Sequence, residues 1–329
     1  MKIVTAAGGW PDRLAGLLRK ARDRKRPARD VWGIGMVKAP IHRFLDGWPE
    51  DAETIWLDDP LGEFHADPFA LRIGGRAVVL TEYMPRPGER GEIMARDLAD
   101  NGSLGAPSAA LRLPVHLSYP YLIEQDGVRY CIPESVQANS VLLFRAVGSE
   151  PRWIFDCRLI DGFAAADSTV IRHDGRFWLF CTRYTPGRGN PANSELHIWH
   201  ASELRGRWIP HAHNPVKVDR SNARPAGTPF VHDGELFRPA QDCSRTYGGS
   251  IKINRVTALT ENAFAEEMVS LIEPRKDGPY PDGFHHLSAF GDYTFIDGKC
   301  RVRDHLGKDE DLPPAGSDVE LEAALAELA

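Results

Sequence analysis

The sequence has no run of about 18 apolar residues and no apolar leader after Met1, the signs of a membrane-spanning helix or a secretory signal. It has no Cys-x-x-Cys, and its five cysteines (131, 157, 181, 243 and 300) are odd in number. Four of them fall inside apolar, strand-like runs, where a free cysteine behaves as a small hydrophobe. A chain of 329 residues buries enough surface to fold without disulfides. These absences together predict a reduced, cytoplasmic protein. Positive charge is also scarce: 40 Lys and Arg against 46 Asp and Glu leave a net −6, which argues against nucleic acid as a partner.

The basic residues that exist are concentrated near the start. Arg13, Arg19, Lys20, Arg22, Arg24, Lys25, Arg26 and Arg29 accompany Leu14, Leu17, Leu18 and Ala21 at helical spacing. The pattern predicts a short basic helix ending before Pro27, within an N-terminal extension over 1–30. Such a helix either packs its leucines on the domain or makes weak contact with an anionic membrane or a partner protein.

Beyond that extension the chain repeats itself. Phe64 to Leu71 leads through Gly74-Gly75 to a second apolar run ending at Glu82 and Tyr83. Tyr119 to Ile123 leads through Asp126-Gly127 to Glu134, Asp167 to Ile171 through Asp174-Gly175 to Arg183, and Ala226 to Val231 through Asp233-Gly234 to Gln241-Asp242. A weaker fifth copy runs from Leu287 through Tyr293 to Asp297-Gly298. Each copy is a β-hairpin around a glycine turn. The turn glycines at 75, 127, 175, 234 and 298 are 52, 48, 59 and 64 residues apart. Strand-only repeats of about 50 residues predict an all-β, five-bladed β-propeller over 31–306. A two-sheet sandwich is the competing fold. The strand at Val31 to Lys38 is placed to complete the last blade, so that both chain ends close one ring. In the tail over 307–329, Ser317 and Glu320 form a capping box for a short C-terminal helix.

A blade's first strand starts, and its second strand ends, on the same face near the axis. Asp67, Tyr119 and Asp167 begin first strands, while Glu82, Glu134, Arg183, Gln241 and Asp242 end second strands. Four carboxylates therefore converge on one funnel, with Arg90, Arg183, Arg224 and Arg238 nearby. Crowded carboxylates separate into a protonated and an ionised member, as acid–base work on a glycosidic bond requires. A structural role stands beside the functional one, because Asp and Ser before a strand often bond their own backbone. His285 and His286 start the fifth first strand, where substrate or axial hydrogen bonding suits them better than a central ion shared with His65. No spacing is specific for zinc, and neither metal nor cofactor is expected.

The segments His65-Ala66-Asp67-Pro68-Phe69, His116 to Tyr121, Ile132-Pro133-Glu134-Ser135, Gly175 to Phe180, Arg238 to Asp242, Tyr247 to Ile251 and Gly283 to Ser288 carry a resemblance. In order, over about 31–300, they resemble the propeller-like domain of the glucosamine inositolphosphorylceramide transferase family. In its larger plant-type members a separate glycosyltransferase domain follows, and nothing here corresponds to it. That domain is in turn similar to the five-bladed glycosidases of the arabinanase, levansucrase and invertase superfamily. The resemblance implies that Asp67, in the first-blade Asp-Pro, is the base and that Asp167 tunes neighbouring pKa values. The fourth-blade general acid, a Glu before Gly-Pro, is not matched, since Arg224 to Pro229 stands there.

The expected function is a carbohydrate-active enzyme, glycoside hydrolase or transglycosylase-like, acting on a sugar-containing and anionic substrate. Asp67, Glu134 and Asp167 would carry the chemistry. Substrate would be held by Glu82, Arg90, Tyr119, Arg183, Arg224, Arg238, Gln241, Asp242, Tyr247, His285 and His286, Arg being suited to bidentate grip. Two alternatives stay open: a non-catalytic carbohydrate-binding or scaffold propeller, and non-glycosidic chemistry on a small metabolite.

Overall fold

The computed structural model describes residues 28–57, 64–85, 89–148, 152–185, 193–303 and 314–329. Five antiparallel sheets follow one another around a ring. The first blade is Phe64–Ile73, Arg76–Met84, Glu92–Leu98 and Ser108–Leu111. The second is Ser118–Gln125, Val128–Glu134, Ser140–Val147 and Arg152–Asp161. Ala165–His173, Arg176–Arg183 and Glu195–Ala201 build the third, flanked by two short outer strands. The fourth is Phe230–His232, Glu235–Asp242, Ser250–Leu259 and Phe264–Ile272. The fifth joins the chain ends: Leu287–Phe290 and Tyr293–Arg303 pair with Ala28–Val37 and Thr54–Trp56.

Local chemistry explains the hairpins. Asp126, Asp174 and Asp233 adopt φ of 52°, 49° and 49°, each followed by a glycine with positive φ, as a two-residue turn matching strand twist requires. The second strands then read as nearly continuous apolar runs, such as Phe177 to Cys181, because both faces of a blade are covered by its neighbours. Apolar side chains fill the spaces between blades; one cluster joins Phe69, Tyr119, Tyr121, Ile132, Val170 and Leu179 from three of them. The ring needs no cross-link, and all five cysteines are free. No helix among the described residues is long and apolar enough to cross a membrane.

The C-terminal helix Asp318–Glu327 begins at a complete capping box between Ser317 and Glu320 and buries Leu321 and Leu325. These side chains join the cluster around Trp153 in the second blade. The basic helix expected before Pro27 lies outside the described residues, and Arg29 belongs to the closing strand.

The fifth hairpin differs from the sequence expectation. Asp297-Gly298 is not its turn, because both residues lie inside the strand Tyr293–Arg303 and pair with Ile34 and Gly33. The turn is at Gly291, φ 60°, between Phe290 and Tyr293. Gly298 is there for space: a Cβ on it would come within 2.6 Å of Tyr280, and one on the opposed Gly33 within 1.9 Å of the Tyr280 hydroxyl. Two facing glycines admit one ring, and Asp297 is left buried in mid-strand.

Gly227 occupies the tightest point near the axis. Its φ is 114°, and a Cβ would stand 1.8 Å from the Leu287 carbonyl oxygen. Gly227→Ala therefore both strains the backbone and pushes the fourth blade from the fifth. It is expected to cost about 2 kcal/mol or more, read as a lower urea midpoint at unchanged slope. An unaltered midpoint would contradict this packing.

Candidate active site

Three first strands carry the same irregularity. Between Ala66 and Phe69, Ser118 and Tyr121, and Ala166 and Thr169, two residues face a single residue of the partner strand. The first extra residue is Asp67, Tyr119 or Asp167, with φ of 52°, 41° and 51°. A non-glycine residue rarely adopts this conformation, and for tyrosine it is an outlier. The bulge re-aims the side chain and removes its amide from the ladder. That buried amide needs another acceptor. The neighbouring blade supplies it: Asp67 N–H donates to Asp297 Oδ2 at 3.2 Å, and Asp167 N–H to Glu134 Oε2 at 3.0 Å. In the fourth blade the Gly227 amide donates to the Tyr119 hydroxyl at 2.7 Å.

These bulges open onto a cavity of about 390 Å³ at the end of the axis. Asp67, Glu82, Glu134, Arg224, Tyr247 and His285 line it, all of them expected from the sequence. Asp30, Trp32 and His116 line it too. Of these four carboxylates, Asp67, Glu82 and Glu134 are buried and Asp30 is half-buried. Asp167 stands behind Arg224 rather than in the wall. Arg224 Nε and Nη2 grip its two oxygens at 2.6 and 3.1 Å, and Gln241 Nε2 adds a bond at 2.9 Å. Burial pushes Asp167 up to about 7 against the pull of Arg224, with the Glu134 charge adding to the rise.

The remaining sequence candidates separate into two groups. Tyr119, Gln241 and His286 are buried beneath the cavity as parts of its floor. Tyr119 bonds Thr169 and Gly227, Gln241 bonds Asp167 and the Pro225 carbonyl, and His286 Nε2 lies 3.1 Å from the Pro68 carbonyl. The second group is elsewhere. Arg238 is buried inside the fourth blade, paired with Glu266 and the carbonyls of Asn222 and Ala223. Arg183 is exposed over the Phe163 ring, and Arg90 donates to the Pro314 carbonyl. Asp242 caps Ser244 and pairs with Lys252. Of four arginines expected around the funnel, only Arg224 reaches it, because Arg238 is held inside its own blade, Arg90 by the Pro314 carbonyl of the C-terminal tail, and Arg183 over the Phe163 ring.

Two distinct histidine–carboxylate pairs stand at the cavity, each presenting its histidine to the wall. His285 Nδ1 lies 2.7 Å from Asp297 Oδ2 and 3.9 Å from Asp67 Oδ1. Burial opposes the charge on His285, but Asp297 outweighs it and holds the imidazole above its ordinary value. Burial likewise opposes the charge on Asp297, and His285 holds it below the usual carboxylate range. In the other pair, the His116 Nδ1 accepts the Gly91 amide at 2.9 Å. The proton is thereby placed on Nε2, 3.3 Å from Glu82 Oε1. Burial raises the Glu82 pKa, and this contact only partly offsets the rise. Asp67, His285 and Asp297 are also the one metal-ligating cluster among the described residues, their donor atoms within 4.8 Å of one another.

Asp30 and Trp32 are not among the residues expected from the sequence, where their strand shows only as a closing piece. Alternation along a strand sets Asp30 and Trp32 on one face, a signal that was available. His116 stands in one of the segments that carry the family resemblance, where the sequence assigns it no role of its own. Asp297 was hidden by the glycine after it.

A family model described as "Glucosamine inositolphosphorylceramide transferase 1, N-terminal" matches residues 59–286. Glucosamine inositolphosphorylceramide transferase 1 of Oryza sativa subsp. japonica is 34% identical over 283 residues, covering 78% of this chain and 38% of that protein. The Arabidopsis thaliana protein of the same name is 32% identical over 206 residues, covering 62% and 27%. The chain thus spans less than two-fifths of the length of these relatives. Among solved structures, the GH62 α-L-arabinofuranosidase catalytic domain of Coprinopsis cinerea aligns with a TM-score of 0.51 at 11% identity, covering 81% of this chain and 85% of that one. A family 117 glycoside hydrolase of Zobellia galactanivorans aligns with a TM-score of 0.50 at 14% identity, covering 80% and 92%. At these identities the likeness is one of fold.

The Asp297–His285 pair makes a signed pH prediction. The Asp297 contribution is present above the unfolded carboxylate pKa and is lost as pH falls through its depressed folded value. The His285 contribution is present below the unfolded imidazole pKa and is lost as pH rises through its raised folded value. Asp297→Asn should therefore destabilise by about 3 kcal/mol, most strongly between about pH 4 and 6.5. Denaturant titrations of both proteins across pH measure this; a pH-independent difference would contradict the pairing.

Proposed function

The chain belongs to the glucosamine inositolphosphorylceramide transferase 1 N-terminal family, and from that premise we propose that it is a carbohydrate-active enzyme working at a glycosidic bond. The observation that carries the reading is the carboxyl pair in the cavity wall. Asp67 Oδ1 lies 3.5 Å from the nearest histidine nitrogen, and no described residue donates a hydrogen bond to its carboxylate. Glu82, in the same wall, is pushed toward its protonated form by burial. An open carboxylate beside a carboxyl pushed toward its neutral form is the equipment of glycoside cleavage.

In this reading Asp67 is the base or nucleophile, and Glu82 donates the proton to the leaving oxygen. Glu134 is the weaker candidate for the acid, because its Oε2 already accepts from the Asp167 amide and from Arg224. Asp167 holds Arg224 in place and adds to the local field. The expectation of an anionic substrate loses its support, since Arg90, Arg183 and Arg238 are not in the cavity wall. Transfer activity of the longer relatives is not extended to this chain, which spans only part of them. The reduced, cytoplasmic setting stays part of the proposal, in keeping with five free cysteines.

A second reading, a sugar-binding module without turnover, is favoured by Arg224 standing where the related glycosidases would carry their acid. Hydrolysis of a panel of aryl glycosides, with calorimetry on the same sugars, separates the two. The enzyme reading expects turnover of at least one glycoside, with Asp67→Asn slowing it by about 100-fold or more. Binding without turnover supports the module. Full turnover by Asp67→Asn would overturn the role given to Asp67.

A further inference from the structure

We propose that His116 decides which oxygen of Glu82 carries the acid proton, and so positions that proton for the leaving group. The role rests on the glycosidic reading above, in which Glu82 is the acid, and adds to it a residue outside the carboxyl pair.

Three segments meet at this histidine. Glu82 pairs across its sheet with Ala66, next to the bulge that turns Asp67. Gly91 lies in the loop after the Glu82 strand, and His116 in the connection from the first blade to the second. The backbone of Gly91 is held twice: its amide donates to His116 Nδ1 at 2.9 Å, and its carbonyl accepts from the Leu117 amide at 3.0 Å. The His116 amide donates in turn to Gln137 Oε1 of the second blade at 2.7 Å. Only glycine admits the ring this closely, since a Cβ on Gly91 would stand 2.6 Å from the imidazole Cε1 and from the Leu117 carbonyl oxygen. The imidazole therefore has a fitted seat, fixed from both blades.

A buried amide needs an acceptor, so Nδ1 keeps its lone pair toward Gly91. The imidazole proton is then on Nε2, 3.3 Å from Glu82 Oε1. His116 is the one described residue that bonds the Glu82 carboxyl, and both side chains line the cavity. In a protonated carboxyl one oxygen donates and the carbonyl oxygen is left to accept. An N–H aimed at Oε1 reserves that oxygen as the acceptor and leaves the proton to Oε2.

When the glycosidic bond breaks, its electron pair ends on the leaving oxygen, which takes the Oε2 proton. The O–H pair stays on Glu82, and Asp67, or a water that Asp67 deprotonates, bonds to the anomeric carbon. Negative charge appears on Glu82, and the Nε2–H bond to Oε1 becomes charge-assisted, about twice as strong as a neutral one. That gain exists only as the acid gives up its proton, which is where it lowers the barrier. His116 keeps its own proton throughout, and Glu82 regains one from water before the next turnover.

The test compares kcat/KM of the full chain on nitrophenyl and unsubstituted phenyl glycosides of the sugar that the aryl glycoside panel identifies. Nitrophenolate leaves without a proton, and phenolate needs one. His116→Phe, shown folded by circular dichroism, should lose about tenfold or more on the phenyl glycoside and less than about threefold on the nitrophenyl one, a share of what a general acid contributes. His116→Gln keeps a side-chain N–H for Glu82 and should recover most of the phenyl activity. Equal losses on both glycosides, or no recovery in folded His116→Gln, overturns the positioning role and leaves the roles of Asp67 and Glu82 standing. Nitrogen NMR on the unaltered chain keeps the test open where a variant does not fold. It should show His116 protonated on Nε2 and bare on Nδ1 at neutral pH, and an Nδ1–H tautomer or an imidazolium overturns the role. Turnover of neither glycoside by the unaltered chain overturns both the role and the reading beneath it.

Discussion

A buried amide freed from its ladder is the constraint on which this propeller's upper face depends. Each bulge in a first strand turns a side chain into the axis and leaves an N–H without its strand partner. For two of them the adjacent blade answers with an acceptor, Asp297 for Asp67 and Glu134 for Asp167, while the Tyr119 hydroxyl accepts the Gly227 amide and ties the second blade to the fourth. The same bonds fasten blade to blade, so the strain of left-handed Asp67, Tyr119 and Asp167 is held by contacts that also close the ring. The bond from Asp67 to Asp297 is notable for joining the first blade to the fifth, which the N-terminal strand completes.

The site follows from that arrangement. Acids recruited to hold bulges stand around the cavity, and buried charges require counter-charges. Arg224 and the Nδ1 side of His285 serve that purpose. This separates an arginine that belongs to the protein's own charge balance from one available to a ligand. What stays open to a ligand is carboxylate oxygen, chiefly that of Asp67, with Glu82 driven toward its neutral form by burial. Two acids in one wall with different surroundings are what a glycosidic bond would meet.

Much of this was legible in the sequence, because hairpin turns and period are local. Asp-Gly at 126, 174 and 233 fixed three turns, and the spacing of about 50 residues set the number of blades. Topology alone gathers Asp67, Glu82, Glu134 and Asp167 at one funnel with Arg224 nearby, and the cavity wall holds all of these but Asp167, which stands behind Arg224. The failures have a common cause in partners distant along the chain. Arg238 meets Glu266, 28 residues away, and Asp297 meets Asp67, 230 residues away. The pattern Asp297-Gly298 read as a turn because packing of Tyr280 against Gly33 and Gly298 leaves no local trace. Arg224 is expected near the funnel as a grip on substrate and in the structure holds Asp167, since the sequence does not tell which acid it serves.

The central claim is that Asp67 offers the open carboxylate while Arg224 remains bound to its own acids. A crystal structure with a tightly binding monosaccharide tests it most directly. The account predicts a sugar oxygen or nitrogen within about 3.2 Å of the Asp67 carboxylate, with Arg224 still seated on Asp167. A sugar bound away from Asp67, or Arg224 swung off Asp167 to grip the ligand, would contradict it.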